Sequence, residues 1–188
     1  VLNNLDYRAP QLLEDKIKGL LGERDGLTVL DAGCGTGLCA PMLRPRAAKL
    51  VGVDLSPGML EKAQARKLYN ELHEAELGAF LRATKDRYDL TMAADVLCYF
   101  GDLAPLLSDL AACMPSGALL AFTAERIEGD VPPTGYRLNP TGRYAHGGDY
   151  LRQSLQTAGF SVTELEETAA RVEMGVPVPC YVVTATRA

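Results

Sequence analysis

Tryptophan is absent from this 188-residue chain, and histidine occurs only as His73 and His146. Two histidines without H-x-x-x-H or H-E-x-x-H spacing argue against a histidine-built metal centre. The five cysteines, Cys34, Cys39, Cys98, Cys113 and Cys180, are odd in number and include no C-x-x-C pair. Neither a disulfide framework nor a zinc site is expected, and they read as buried apolar residues. Positive charge is scarce, with 19 Lys and Arg against 24 Asp and Glu for a net −5. That balance argues against nucleic acid, whose binding needs a basic face to displace counterions. There is no apolar run long enough to cross a bilayer, no signal peptide and no low-complexity tail, so a cytoplasmic protein with no membrane partner is expected. No 34-residue helical repeat is visible. The chain starts at Val1 rather than methionine and reads as a piece whose upstream residues lie outside it. At 47% hydrophobic content it can bury a core, and 1–188 reads as a single domain.

What is present is concentrated in Val29-Leu-Asp-Ala-Gly-Cys-Gly-Thr-Gly37. An apolar stretch runs into an acid, Asp31, and then into glycines at 33, 35 and 37. A strand must end there in a tight turn, because glycine alone takes positive φ freely and lets main-chain N–H groups approach a bound molecule. In a doubly wound sheet this is the seat of a nucleotide-type cofactor. The dinucleotide fingerprint G-x-G-x-x-G needs a third glycine where this chain has Leu38, so the spacing is G-x-G-x-G instead. A carboxylate at the mouth of the loop would repel a pyrophosphate and suit the sulfonium and ammonium of S-adenosylmethionine. Cys34 lies in the same loop, where small size for close packing is the plain reading.

A second acid follows. Lys49-Leu-Val-Gly-Val-Asp54 reads as a strand ending in Asp54, seventeen residues past Gly37, and a carboxylate there can accept hydrogen bonds from both ribose hydroxyls. Enzymes that use NAD place an acid here as well, so Asp54 predicts a ribose without choosing the cofactor.

Val29–Gly37, VGVDLSPGML over 51–60, YDLTMAADVLCYF over 88–100 and MPSGALL over 114–120 together resemble the successive motifs of class I S-adenosylmethionine-dependent methyltransferases. More narrowly, LDYRAP near the N-terminus, AADVLCYFGDL and GRYAH resemble a bacterial subgroup of methyltransferases associated with tetratricopeptide repeats. The resemblance implies a three-layer Rossmann-like α/β sandwich, with a seven-stranded, mostly parallel sheet and a reversed last strand. It also implies that Met59 and Leu60 flank adenine, that Leu55 belongs to the cofactor-binding set, and that Glu76 with Leu77 holds the adenine amino group. In a plainer reading Met59 and Leu60 are core, and Glu76 is a solvated acid at a helix start.

Periodicity places the elements. A helical cap over 1–22 is expected to contain a helix over Pro10–Leu21, with Leu12, Leu13, Ile17, Leu20 and Leu21 on one face. Strands are expected over Thr28–Ala32, Leu50–Asp54, Glu71–Ala75, Tyr88–Ala94 and Ala118–Ala124. A helix should begin near Gly37, cut short by Pro41 and Pro45; another should run from Ser56-Pro57 to about Tyr69, with proline at its favoured first position. Helices are also expected over Leu77–Thr84, Asp102–Met114 and Asp149–Ala158, and an antiparallel pair over Ser161–Arg171 and Val178–Thr186. Between Glu125 and Gly148 the pattern breaks, and a loop of that length on the substrate side is usually functional.

Strand ends carry the chemistry in such a sheet. Asp95 stands just past the fourth strand, where an acid would hold a substrate amine or orient the methionine end of the cofactor; capping a turn is the plainer role. Tyr99 would line the same pocket or simply pack. In Asp6-Tyr7-Arg8, Arg8 is expected to pair in two-pronged fashion with the methionine carboxylate and Tyr7 to donate a hydrogen bond, unless the segment is a frayed end. His146 is a candidate general base, since an unperturbed imidazole titrates near working pH; a loop-bracing histidine is the alternative. His73 reads as structural. Tyr136, Arg137 and Tyr144 are candidates to touch substrate.

The expected function is therefore transfer of a methyl group from S-adenosylmethionine to a small-molecule or protein acceptor. Nothing like N-P-P-Y follows the fourth strand, which disfavours nucleic-acid methylation. The rivals are a catalytically silent cofactor-binding or interaction module, and an NAD-dependent oxidoreductase. The last is disfavoured by Leu38 and by the lack of Tyr-x-x-x-Lys after the fourth strand.

Overall fold

The computed structural model describes residues 7–173 and 175–188; Asp6 of the N-terminal motif lies outside them. The elements alternate as expected. In chain order they are α1 (Ala9–Leu21), β1 (Leu27–Ala32), α2 (Ala40–Leu43), β2 (Ala47–Asp54), α3 (Pro57–Ala65), β3 (Glu71–Glu74), α4 (Leu77–Ala83), β4 (Leu90–Ala93) and α5 (Ala104–Cys113). Then follow β5 (Leu119–Arg126), β6 (Tyr136–Leu138), β7 (Tyr144–His146), α6 (Gly148–Thr157), β8 (Phe160–Glu173) and β9 (Val176–Arg187). Strands β3-β2-β1-β4-β5 are hydrogen-bonded in that order and run parallel. β9 closes on β5 antiparallel and β8 pairs with β9, which gives the mostly parallel, Rossmann-like sheet with a reversed last strand; among the described residues it holds nine strands rather than the seven expected, because β6 and β7 join it.

Alternation along the strands supplies both faces of the sheet with core. Leu30 and Val51, Leu120 and Phe122 pack under α4, α5 and α6, whereas Val29, Leu50, Ala121 and Met92 pack under α1 and α2. Leu13, Ile17 and Leu21 are the buried stripe of α1, while Leu20 is exposed, one residue off that stripe.

Three expectations are corrected. The helix after the glycine loop begins at Ala40, not Gly37, and lasts four residues before a 3-10 turn over Arg44–Arg46, because prolines at 41 and 45 interrupt it. α3 stops at Ala65; Lys67 then takes φ of 56° and the chain turns Tyr69 back under the glycine loop. The 125–148 stretch is not all loop. β6 and β7 form a hairpin, and β7 pairs with β5 at Glu125 and Arg126. At Glu125 the other edge of β5 is already taken by Cys180 of β9, so β7 continues the edge that β4 vacates. The hairpin is thereby set over the C-terminal end of β4.

Candidate functional site

A cavity of about 510 Å³ opens at the C-terminal ends of β1, β2 and β4. One part of its wall is the glycine loop, with Gly33, Cys34, Gly35 and Thr36, and another is Asp54, Leu55 and Met59. Glu76 and Leu77 line it at the start of α4, and Tyr7, Asp95, Tyr99 and Phe100 line it beyond β4. Residues as far apart in sequence as Gly33 and Phe100 therefore meet because parallel strands all end on the same side of the sheet.

The loop is internally braced. Gly33 has φ of 66°, and a Cβ there would run into the Val96 side chain. Gly35 has φ of 53° with open space where a Cβ would point. Three of the loop's N–H groups turn inward: Cys34 N–H donates to Val53 O (2.9 Å), Gly37 N–H to Cys34 O (2.8 Å), and Gly35 N–H to Asp54 Oδ2 (2.8 Å). Gly37 is not at the cavity wall but lies against Arg66 and Tyr69. With those three donors spent, and with α2 starting only at Ala40, the loop lacks the adjoining helix N-terminus that holds a pyrophosphate. Leu38, at the position of the missing third glycine, lines the cavity as well.

Asp54 is the open acid of the site. Its Oδ1 accepts from Ser56 N–H (2.9 Å) and its Oδ2 from Gly35 N–H, and each oxygen keeps a further lone pair towards the cavity. Asp31, expected at the mouth of the loop, is instead 1% exposed and accepts from the Tyr69 hydroxyl (2.6 Å). It sits behind the loop and does not line the cavity. Burial pushes its carboxyl up to about 7, the Tyr69 hydrogen bond opposes this, and the Asp54 charge adds to it. Burial likewise raises the thiols of Cys34 and Cys39, which are inert there.

Glu76 lines the cavity and also caps the helix that follows it. Both carboxylate oxygens cap α4, accepting from Gly78 N–H (2.9 Å) and Ala79 N–H (2.7 Å). Those two bonds hold its carboxyl below the usual range. Met59 and Leu55 are largely exposed at the rim, so neither is core. Tyr7 lines the cavity, and burial first, then Asp95, raises its phenol, so it is a neutral donor. Arg8 is exposed, does not line the cavity, and is held by its backbone, whose N–H donates to Ala170 O (2.7 Å) and whose carbonyl accepts from Leu12 N–H (3.0 Å).

Asp95 lines the cavity as expected, and its carboxylate is already engaged inside the protein. It has φ of 60°, its N–H donates to Thr123 Oγ1 (2.8 Å), and its carboxylate belongs to a charge network. Arg171 of β8 reaches Asp95 (2.6 Å), Glu173 (2.7 Å) and Glu125, and Arg143 lies 3.4 Å from Asp95. Arg171, Glu125 and Thr123 were not foreseen. The available signal was charge inside strands of otherwise apolar alternation, which a half-buried strand does not tolerate without partners.

His146 is not at the cavity wall and is wholly buried. Its Nε2 faces the carbonyls of Phe100 (3.0 Å) and Gly101 (3.1 Å), its ring stacks on Tyr150, and Nδ1 has no partner. Burial lowers its pKa despite those two carbonyls. The imidazole is thus a neutral brace behind the cavity wall rather than a base within it, and the hairpin strand β7 is what buries it. Tyr136 and Tyr144 pack around Gly101 in the same assembly. Arg137 turns to Glu128 O (3.3 Å). His73 is paired with Glu71 on β3 (3.2 Å). We expect His146→Asn to cost about 1–3 kcal/mol, the price of two buried carbonyls losing their donor, read as a lower urea midpoint. A variant that kept its midpoint and lost activity would return the imidazole to the chemistry.

Comparison with known proteins was made against this geometry. A family model described as a methyltransferase domain matches residues 5–165. Methyltransferase-like protein 27 of Homo sapiens is 50% identical over 74 residues, 38% of this chain and 30% of the human protein. The malonyl-[acyl-carrier protein] O-methyltransferase of Salmonella typhimurium is 29% identical over 137 residues, 73% of this chain and 54% of that enzyme. The chain thus spans about half or less of these curated relatives. Among solved structures, the magnesium protoporphyrin IX methyltransferase of Synechocystis with bound SAM superposes with a TM-score of 0.70 at 22% identity, covering 95% of this chain and 79% of that one. The 1,6-didemethyltoxoflavin-N1-methyltransferase of Burkholderia thailandensis, with 1,6-didemethyltoxoflavin and S-adenosylhomocysteine bound, gives 0.76 at 18% identity, covering 97% and 79%. These likenesses establish the fold. Among the described residues, no helix is long and apolar enough to cross a membrane.

Proposed function

Because the chain belongs to the methyltransferase-domain family, we propose that this cavity binds S-adenosylmethionine and that the protein transfers its methyl group to a small-molecule or protein acceptor. One observation carries the choice of cofactor. The glycine loop and Asp54 face a single cavity, yet the N–H groups of Cys34, Gly35 and Gly37 are bonded inside the protein and no helix begins before Ala40. A ribose diol has its acceptor there, and a pyrophosphate has no helix N-terminus to hold it, which disfavours the nicotinamide reading.

The residues present fit the group. Asp54 would accept from the ribose hydroxyls, Gly35 leaves room above the loop, and Leu55, Met59 and Leu77 would enclose the adenine. Cys34 and Gly33 would pack against the methionine portion, with Tyr7 donating a hydrogen bond to it; Arg8 would have to swing inward to reach the same carboxylate. The cofactor supplies an already activated methyl on a sulfonium. What the protein contributes is alignment and exclusion of water, and orientation alone can be worth about 7–11 kcal/mol. No obligatory base is required, consistent with a buried His146.

The malonyl, ubiquinone-pathway and magnesium-protoporphyrin relatives are O-methyltransferases by name, and an oxygen acceptor is accordingly the first class to assay. A cytoplasmic setting and kinship with the repeat-associated bacterial subgroup complete the proposal.

Asp54→Ala is expected to weaken S-adenosylmethionine by about ten- to a hundredfold, the worth of a charge-assisted hydrogen-bonded pair. Calorimetry with S-adenosylmethionine, S-adenosylhomocysteine and NAD provides the check. Unchanged affinity in the variant removes Asp54 from the site, and tight NAD binding without the other two sinks the reading.

A further inference from the structure

Two arginines reach the same three carboxylates past the end of β4, and they are used differently. The side chain of Arg171 is 6% exposed, and each of its three guanidinium nitrogens has its own acid: Nε with Glu173 (2.7 Å), Nη1 with Asp95 (2.6 Å) and Nη2 with Glu125. Its donors are spent closing the network. Arg143, just before β7, touches those acids through Nη1 alone, at 3.4 Å from Asp95 and 3.6 Å from Glu125 and Glu173. These contacts are longer than the roughly 2.7–2.9 Å of a good charge-assisted bond. Among the described residues, Nε and Nη2 of Arg143 meet no acceptor, and its side chain is 23% exposed. Arg143 stands just outside the cavity lining and adjoins it through Tyr99: its Cζ lies 5.7 Å from the centre of the Tyr99 ring, which lines the cavity and is 61% exposed.

A guanidinium is a planar fork, and a carboxylate fits two of its N–H groups at once. Arg143 can therefore keep Nη1 on the acid cluster and offer its Nη2–Nε edge outward, with Tyr99 as a flat floor beneath it. An ammonium would have to compete with Arg171 for acids already paired at short range. We infer that Arg143 and Tyr99 form the acceptor end of the cavity and that the acceptor carries a carboxylate held two-pronged by Arg143. This inference rests on the methyl-transfer reading and adds the acceptor class to it.

The test uses the full chain loaded with S-adenosylhomocysteine, titrated with benzoate and with its neutral counterpart benzamide. Benzoate should bind more tightly by about tenfold, as a charge-assisted pair implies. Arg143→Gln should bring the two probes level while leaving S-adenosylhomocysteine affinity as it was, which also reports that the variant is folded. Equal binding of the probes to the unmodified protein, or a benzoate preference that survives in the variant, overturns the inference. So does a large loss of S-adenosylhomocysteine affinity in Arg143→Gln, which would assign the guanidinium to the cofactor's own carboxylate. Failure of S-adenosylhomocysteine to bind at all is seen before either probe is added, and it removes the methyl-transfer reading together with this inference.

Discussion

Replacing Arg171 with methionine should lower the unfolding free energy by about 3–5 kcal/mol, the cost of leaving buried charge without its partner. Three carboxylates converge on this guanidinium, and Glu125 among them is 5% exposed. Arg143 would be left to serve all three from 3.4–3.6 Å. Against a usual stability of about 5–15 kcal/mol, that is a large share. The network also holds Asp95 at φ of 60°, a conformation that costs about 1–3 kcal/mol outside glycine and persists only when its surroundings enforce it. Losing Arg171 should therefore loosen the cavity wall around Asp95 as well as the closing hairpin β8–β9. Urea denaturation at pH 7 measures the loss, and adding Glu125→Gln to Arg171→Met should recover part of it, since one stranded charge is then gone. A loss below about 1 kcal/mol, the worth of an exposed pair, would show that the cluster is solvated and structurally idle.

That network marks the boundary of what could be read before the fold was known. Strands β1, β2 and β5 were legible because their apolar runs are bounded by glycine, proline or acid, and the motifs at their ends fell where a parallel sheet gathers them. Asp54, Met59, Leu77, Tyr7 and Tyr99 reach the cavity for that reason. Arg171 pairs with Asp95 across 76 positions and with Glu125 across 46, and no local period reports such a distance. His146 failed differently. A long polar stretch holding the chain's rarer titratable group invites a catalytic reading, but two of its residues, Ala145 and His146, pair with β5, and the ring is buried. Tyr69, 38 positions from Asp31, was read as the end of a helix when it is the lid on a buried acid.

The same buried acid should make the protein's stability fall as pH rises through a window the sequence would not suggest. An exposed aspartate titrates near 3.8, whereas Asp31 in the folded chain is pushed up to about 7 by burial. Between those values the folded protein holds a proton that the unfolded chain has lost, so stability declines with rising pH by up to about 1.4 kcal/mol per unit. The contribution is complete below about pH 4 and fully lost above about 7. Asp31→Asn removes this dependence while its amide oxygen can still accept from Tyr69. The stability difference, variant minus unmodified protein, should therefore climb between pH 4 and 7 and then level off. Glu71, Glu76, Glu166 and Glu173, whose pKa values are lowered in the fold, act equally in both proteins and cancel. Linkage extends the argument to the ligand. A cation bound beyond the loop favours the ionised form of Asp31, so S-adenosylmethionine binding at pH 6 should release a proton from the unmodified protein and less from Asp31→Asn. Urea midpoints from pH 4 to 8 test the first half, and calorimetry in two buffers of different ionisation enthalpy tests the second. Parallel midpoint curves would mean that Asp31 is ionised in the free protein, and the proton release would then have no source.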